Sequence, residues 1–284
     1  MGNPNREIDK THLSIDNAES RGFIHRDYIA HCLRWSHVCK HMHKFNFYKR
    51  ARILDVGCGK ELPLLKTLYT SRLSPMTYTG FDVNRINCSI LPNIEAKMGI
   101  DNVEIWDKTD FSEADINGLG PFNIITCFEV LEHVTPKKCI KILKRIHSFM
   151  NEYTVCFIST PVWNGKAAAN HINEMTYGAL GALLENLKFN IVDHWGTFAS
   201  QRDIEPQIEN LEISKIYNRL KEYYDSNYIS TIFAPLFPGK SRNILWKLRK
   251  QNEFAPIKEF FPLKMQKHQW SQHKNWEDLN VCSH

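Results

Sequence analysis

Arg52-Ile53-Leu54-Asp55-Val56-Gly57-Cys58-Gly59-Lys60-Glu61 is a short apolar run rich in β-formers, closed by two glycines two residues apart and followed by the helical composition of Leu62 to Tyr69. The pattern reads as a buried parallel strand that turns sharply into a helix. Such a turn is a ligand site. Glycine admits positive φ and lets a ligand approach without meeting a Cβ, and the N–H groups that open the helix favour anionic or polar groups. Alone, Gly-x-Gly is equally compatible with a tight loop, so its meaning depends on the runs downstream.

A second β-rich run, Thr77 to Phe81, ends in Asp82, where a doubly wound sheet puts an acid on a ribose diol. A third, Val103 to Trp106, ends in Asp107, and a fourth, Phe122 to Phe128, runs into Glu129-Val130-Leu131-Glu132-His133. The series resembles the class I S-adenosylmethionine (SAM) methyltransferases over roughly residues 50 to 200. The resemblance implies an α/β fold: a Rossmann-like seven-stranded methyltransferase sheet with flanking helices and a capping insertion. It implies SAM as cofactor. Asp55, Gly57 and Gly59 would support its methionine part, Asp82 its ribose hydroxyls and Asp107 its adenine amine, with Glu129 also against the cofactor. One departure is visible, because Glu61 stands where the family often carries a third glycine.

With 284 residues and 43% hydrophobic content the chain can bury one substantial core, as a single domain with additions. No apolar run reaches the roughly twenty residues that span a bilayer, and the start is polar rather than signal-like, which predicts a cytoplasmic enzyme with no membrane partner. Eight cysteines without a Cys-x-x-Cys pair, Cys127 and Cys156 among them inside apparent strands, read as reduced core residues. Of the net charge of +5, Arg34 to Arg50 alone can supply all, with five cations (Arg34, Lys40, Lys44, Lys49, Arg50) and no acid. That segment is either a solvated helix face or a path for an anionic substrate.

Taken in order, residues 1–50 hold a polar arm and a helix from Arg26 to His43. Its Tyr28, Cys32, Trp35, Cys39 and Met42 share one face, and a helix at this point covers the cofactor pocket in many SAM methyltransferases. The histidines at 25, 31, 37, 41 and 43 match no usual zinc spacing. Residues 51–250 are the catalytic domain. Lys137 to Met150 is a helix with Ile140, Leu143, Ile146 and Phe149 toward the sheet. Tyr153 to Ser159 is strand five, Thr176 to Leu187 a helix, and Phe189 to Trp195 strand six. A cap follows at about 200–240, with Leu211, Ile216, Leu220 and Tyr223 as its apolar stripe, and Asn243 to Leu248 returns as a last, antiparallel strand. The tail, 251–284, is charge-balanced, and its Trp270 and Trp276 are expected to pack on the domain rather than stack on bases.

Methyl transfer from SAM is an in-line displacement, so the protein must position the acceptor and make it nucleophilic. Neither the Asp/Asn-Pro-Pro-aromatic motif of amino-methylating DNA enzymes nor a Pro-Cys nucleophile follows strand four. Glu129-Val130-Leu131-Glu132-His133 does, and His171-Ile172-Asn173-Glu174-Met175-Thr176 follows strand five. Two acids three apart, an adjacent histidine and a second histidine from a neighbouring loop can converge on one divalent ion. The pattern is similar to that of the small-RNA 3′-terminal 2′-O-methyltransferases and the ubiquinone-pathway catechol O-methyltransferases. That similarity implies Glu129, Glu132, His133 and His171 as ligands of Mg, Mn or Zn, and Glu132, His133 and His171 as the catalytic set. Both families act on vicinal diols, whose two hydroxyls can chelate the ion while the ion lowers the pKa of the one that attacks. Glu222-Tyr223-Tyr224-Asp225-Ser226-Asn227 and Ser241-Arg242-Asn243 further resemble phage-encoded methyltransferases of unassigned substrate.

The sequence thus predicts a SAM-dependent O-methyltransferase acting on a vicinal hydroxyl of a nucleic acid end or small molecule, with divalent-metal assistance. Two readings compete with it. One is a metal-independent N- or C-methyltransferase of a nucleobase or metabolite, since Glu-Val-Leu-Glu-His also shapes pockets or supplies a base without a metal. The other is an inactive methyltransferase fold serving as a binding subunit, against which stands the retained Asp82. The sequence assigns no oligomeric state.

Overall fold

The structure, a computed structural model, describes residues 26–45, 51–92, 96, 102–116 and 118–251. The polar arm, His25, and the tail with Trp270 and Trp276 lie outside the described residues. Its frame is one sheet built from β1 (Arg52–Val56), β2 (Thr77–Phe81), β3 (Asn102–Trp106), β4 (Ile124–Phe128), β5 (Val155–Pro161), β6 (Phe189–Phe198) and β7 (Asn243–Lys250). Among the described residues the strand order is β3-β2-β1-β4-β5-β7-β6. β1 to β5 pair in parallel, and β7 runs antiparallel between β5 and β6. The chain leaves β1 towards β2 on one side and reaches β4 on the other, so the crevice between β1 and β4 is the switch point where open α/β sheets bind ligands. Gly57, Asp82, Asp107 and Glu129 all follow the carboxyl ends of their strands and share that rim.

The central strands are apolar without alternation because helices cover both faces. On one face lie α1 (Arg26–Phe45) and α2 (Pro63–Thr70). Trp35, Val38, Cys39 and Met42 of α1 pack with Leu64, Leu65 and Leu68 of α2 against Ile53, Ile124 and Phe157. On the other lie α3 (Pro136–Ser148) and α4 (Tyr177–Asn186), capped by the Thr135 and Thr176 hydroxyls, which accept from Lys138 N and Ala179 N. Cys139 and Ile142 join Leu143 and Ile146 as the buried stripe of α3, while the predicted Ile140 and Phe149 sit at its margin. Cys127, Cys139 and Cys156 are buried thiols, and the described cysteines form no disulfide.

Between β6 and β7 come α5 (Gln201–Ile208), α6 (Ile213–Lys221) and α7 (Ser226–Phe233), gathered on a small core of Ile204, Ile208, Tyr217, Ile229 and Phe233. Of the expected stripe Leu220 packs against this core, while Leu211, Ile216 and Tyr223 are exposed and Tyr217 faces inward instead. Its ring packs edge-on to Phe233 and its hydroxyl pairs with Ser230 Oγ at 2.8 Å, which gives the buried polar atom a partner. Among the described residues no helix is long and apolar enough to cross a membrane.

Candidate functional site

The glycine turn is built inward. Gly57 N and Cys58 N both donate to Phe81 O, at 2.8 and 2.9 Å, and Gly59 N donates to Asp82 Oδ2 at 2.9 Å. These amides are committed to the fold and do not form an anion cradle. Gly57 and Gly59 have φ of +74° and +75°, and a Cβ on Gly57 would lie 2.2 Å from Val130 Cγ2. Glycine is required there by left-handed backbone and by the close approach of the β4 turn, not by a Cβ direction facing a ligand. Glu61, in place of a third glycine, is held by Lys66 Nζ and Asn87 Nδ2, both at 3.2 Å to Oε2.

Of the acids after the first three strands, Asp82 and Asp107 stand at the rim and Asp55 does not. Asp55 is buried beneath the turn, its Oδ2 accepting from Tyr78 OH and its Oδ1 from Thr126 Oγ1, both at 2.6 Å. Desolvation raises its pKa to about 6 against those two hydrogen bonds. Expected against the cofactor, it is placed where it braces the turn from below. Asp82 accepts one backbone N–H on each oxygen, from Gly59 and from Asn84 at 2.8 Å. A carboxylate has about four lone-pair sites, so two remain for a diol. Asp107 is exposed and its Oδ1 accepts from Ile86 N at 2.6 Å, bracing the loop after β2.

The second half of the site comes from two loops pinned together. After β4 a single 3₁₀ turn, Leu131–His133, presents Glu132 and His133. The β5–α4 loop is fastened to it: Ile172 N and Asn173 N both donate to Glu132 O, at 2.9 and 3.1 Å, and the buried Asn173 donates through Nδ2 to Leu131 O at 3.0 Å. This brings His171 to His133, ring centroids 4.8 Å apart, and ligand atoms of Glu132, His133 and His171 all lie within 4.8 Å of one another. His171 Nδ1 contacts Glu174 Oε1, and His133 Nδ1 lies 3.2 Å from Asn170 O. An acceptor at each Nδ1 holds the proton there and puts the imidazole lone pair on Nε2, the arrangement found behind metal-ligating histidines. Glu132 is 1% exposed; Oε2 accepts from Thr160 Oγ1 at 3.2 Å, and Oε1 is buried with no hydrogen-bond donor. Burial first, then the nearby Glu129 carboxylate, pushes its pKa well above the usual range. A buried carboxylate oxygen with no donor, beside two oriented imidazoles, fits a cation.

Glu129, expected as a fourth ligand, is not brought into that group. Its Oε1 pairs with Arg34 Nη1 at 3.0 Å and accepts from Ser159 Oγ at 2.9 Å, and Asn243 Nδ2 spans both oxygens at 3.0 and 2.9 Å. Arg34, read from the sequence as part of a cationic stretch, is only 2% exposed. In the sequence reading Arg34, Asn173, Glu174 and Asn243 fall within longer stretches, and none of them is given a role at this site. The α1 histidines form no such cluster among the described residues: His31 Nδ1 meets Arg34 and His37 stacks on Trp195 at 4.5 Å.

A family of proteins described as a methyltransferase domain matches residues 34–194. The chain belongs to that family. Fold and family together make it a SAM-dependent methyltransferase. No curated protein matches the methyltransferase in sequence. Among solved structures it is similar to magnesium protoporphyrin IX methyltransferase from Synechocystis PCC 6803, solved with bound S-adenosylhomocysteine (SAH), at 9% identity and TM-score 0.53, over 87% of this chain and 92% of that one. It is also similar to the small RNA methyltransferase HEN1, at 16% identity and TM-score 0.51, over 80% of this chain but 26% of that one. At these identities the likeness is one of fold.

Proposed function

We propose that the protein is a metal-assisted O-methyltransferase that modifies one hydroxyl of a vicinal diol, on a nucleic acid end or a small molecule. The observation that carries the reading is Glu132 Oε1, buried without a donor beside His133 and His171. SAM supplies the electrophilic methyl group. Asp82 would hold its ribose hydroxyls and Asp107 its adenine, with the Gly57–Gly59 turn beneath the methionine part. Glu132, His133 and His171 would hold a divalent ion, Mg, Mn or Zn, which supplies Lewis-acid activation of the acceptor hydroxyl. Asn173 would keep the two histidine loops at their spacing, Glu174 and Asn170 O would hold the tautomers of His171 and His133, and α5 to α7 would cap the acceptor side. The test is methyl transfer to short RNAs and to catechols with the divalent ion removed and restored. Loss and recovery of turnover support the reading.

A metal-free reading is favoured by the Glu174 contact with His171 Nδ1. A carboxylate there makes Nε2 a general base able to take the acceptor proton directly, on oxygen or nitrogen. Full turnover in excess chelator would select it.

A further inference from the structure

We infer that Arg34 withholds Glu129 from the metal, so that the ion would have three protein ligands and one position for solvent besides those for the two oxygens of a diol. The inference rests on the metal-assisted reading above. Glu129 follows β4 and precedes Glu132 by three residues, the natural fourth ligand by spacing. The structure engages it otherwise.

The backbone turns the side chain away. Glu129 has φ of +55°, a left-handed conformation that L-residues rarely adopt, and its N–H is fixed to Ser159 O at 3.0 Å. So turned, the carboxylate meets three donors from three separate elements: Arg34 Nη1 from α1, Ser159 Oγ from β5, and Asn243 Nδ2 from the start of β7. Asn243 is itself aimed by Thr197 Oγ1, which donates to Asn243 Oδ1 at 2.8 Å. Ordinary carboxylates at a sheet rim do not need a buried guanidinium. Here the guanidinium is nearly inaccessible, its Nη2 is held against His31 Nδ1, and its Nε has no partner, so Arg34 is kept at this spot at the expense of one hydrogen bond.

The chemistry follows from the ligand count. Hard and borderline divalent ions take about six ligands where oxygen donors dominate. Two imidazoles and one carboxylate leave half of those positions for acceptor and solvent. A second carboxylate would fill one of them and lower the ion's net charge, weakening its pull on an acceptor proton. Arg34 thus acts as a positioning residue through Glu129, and because it lies on α1 the same contact docks the helix at the rim of the site.

The test is Mn²⁺ binding to the full chain, read from the electron paramagnetic resonance of free Mn²⁺, for wild type, Glu129→Gln, Glu132→Gln and Arg34→Met, each checked by circular dichroism. Glu129→Gln should bind Mn²⁺ within about threefold of wild type, while Glu132→Gln should weaken binding about tenfold or more. Arg34→Met should tighten it about tenfold by releasing Glu129, and Glu129→Gln in that background should reverse the gain. If Arg34→Met does not fold, the two glutamate variants still decide. Equal losses in Glu129→Gln and Glu132→Gln would overturn the inference, as would a folded Arg34→Met that binds like wild type. No Mn²⁺ binding by wild type would overturn the metal reading itself.

Discussion

Replacing Gly57 by alanine tests why the central turn needs glycine. Two separable effects oppose the new methyl group. The backbone, at φ +74°, costs an L-residue about 1–2 kcal/mol. The new Cβ would stand 2.2 Å from Val130 Cγ2, against the roughly 3.5–4.0 Å of an ordinary carbon contact, and Val130 is β-branched, so relieving the overlap costs about 1–3 kcal/mol more. Gly57→Ala should therefore destabilise the protein by about 2–5 kcal/mol in urea titrations. In a Val130→Ala background the nearest remaining carbon is Val130 Cβ at 3.6 Å, an acceptable contact, so only the backbone effect survives. The double-mutant cycle should show a favourable coupling of about 1–3 kcal/mol, and the double variant should keep SAM affinity within about threefold because the methyl points at the β4 turn. Additivity within about 0.5 kcal/mol would refute the steric argument. Intact stability with lost SAM affinity would show that the glycine serves the ligand after all.

Other perturbations follow from the same geometry. Asp55 has a folded pKa of about 6 against an ordinary 3.8, so the native state binds this proton more tightly than the unfolded chain and stability falls as pH rises, by roughly 2 kcal/mol between pH 4 and 6. Asp55→Asn should remove that slope, and urea midpoints at pH 4.5 and 7.5 that change as much as in wild type would contradict it. Asp82→Ala removes two acceptor sites for a ribose diol and should weaken SAM binding by roughly 2–3 kcal/mol in calorimetry, with unchanged affinity as the adverse result. Asn173→Ala deletes the buried donor to Leu131 O and should lower stability by about 1–3 kcal/mol, read by thermal unfolding, where no change would mean the two loops are held by other contacts.

The parallel strands at 52–56, 77–81 and 124–128 were legible because each is a buried apolar run followed at once by glycine or an acid, so they announce themselves one at a time. The helix Gln201–Ile208 was not assigned: Pro206 sits inside it, and its start signal, the Ser200–Asp203 capping box, uses aspartate where glutamate is the familiar sign. The stripe of α6 went astray because periodicity registers apolar residues without saying which neighbour exists, and Tyr217 is chosen by Ser230 and Phe233. In the site, Glu132, His133 and His171 were readable as residue types with ligand chemistry. The residues that decide their use were not. Asn243 reaches Glu129 across 114 positions, Arg34 arrives from α1, and Asp55 turns under the sheet because Tyr78 and Thr126 wait there. No local pattern encodes such pairings.

The most direct test of the account is transfer of a labelled methyl group from SAM to vicinal-diol acceptors, short RNAs with free 3′ ends and simple catechols, by wild type and His171→Ala in EDTA and across a Mn²⁺ titration. Wild type should show no turnover in EDTA and recovery with Mn²⁺, His171→Ala should need more Mn²⁺, and SAM affinity by calorimetry should be unaffected by either change. Full turnover by wild type in excess EDTA would contradict the account.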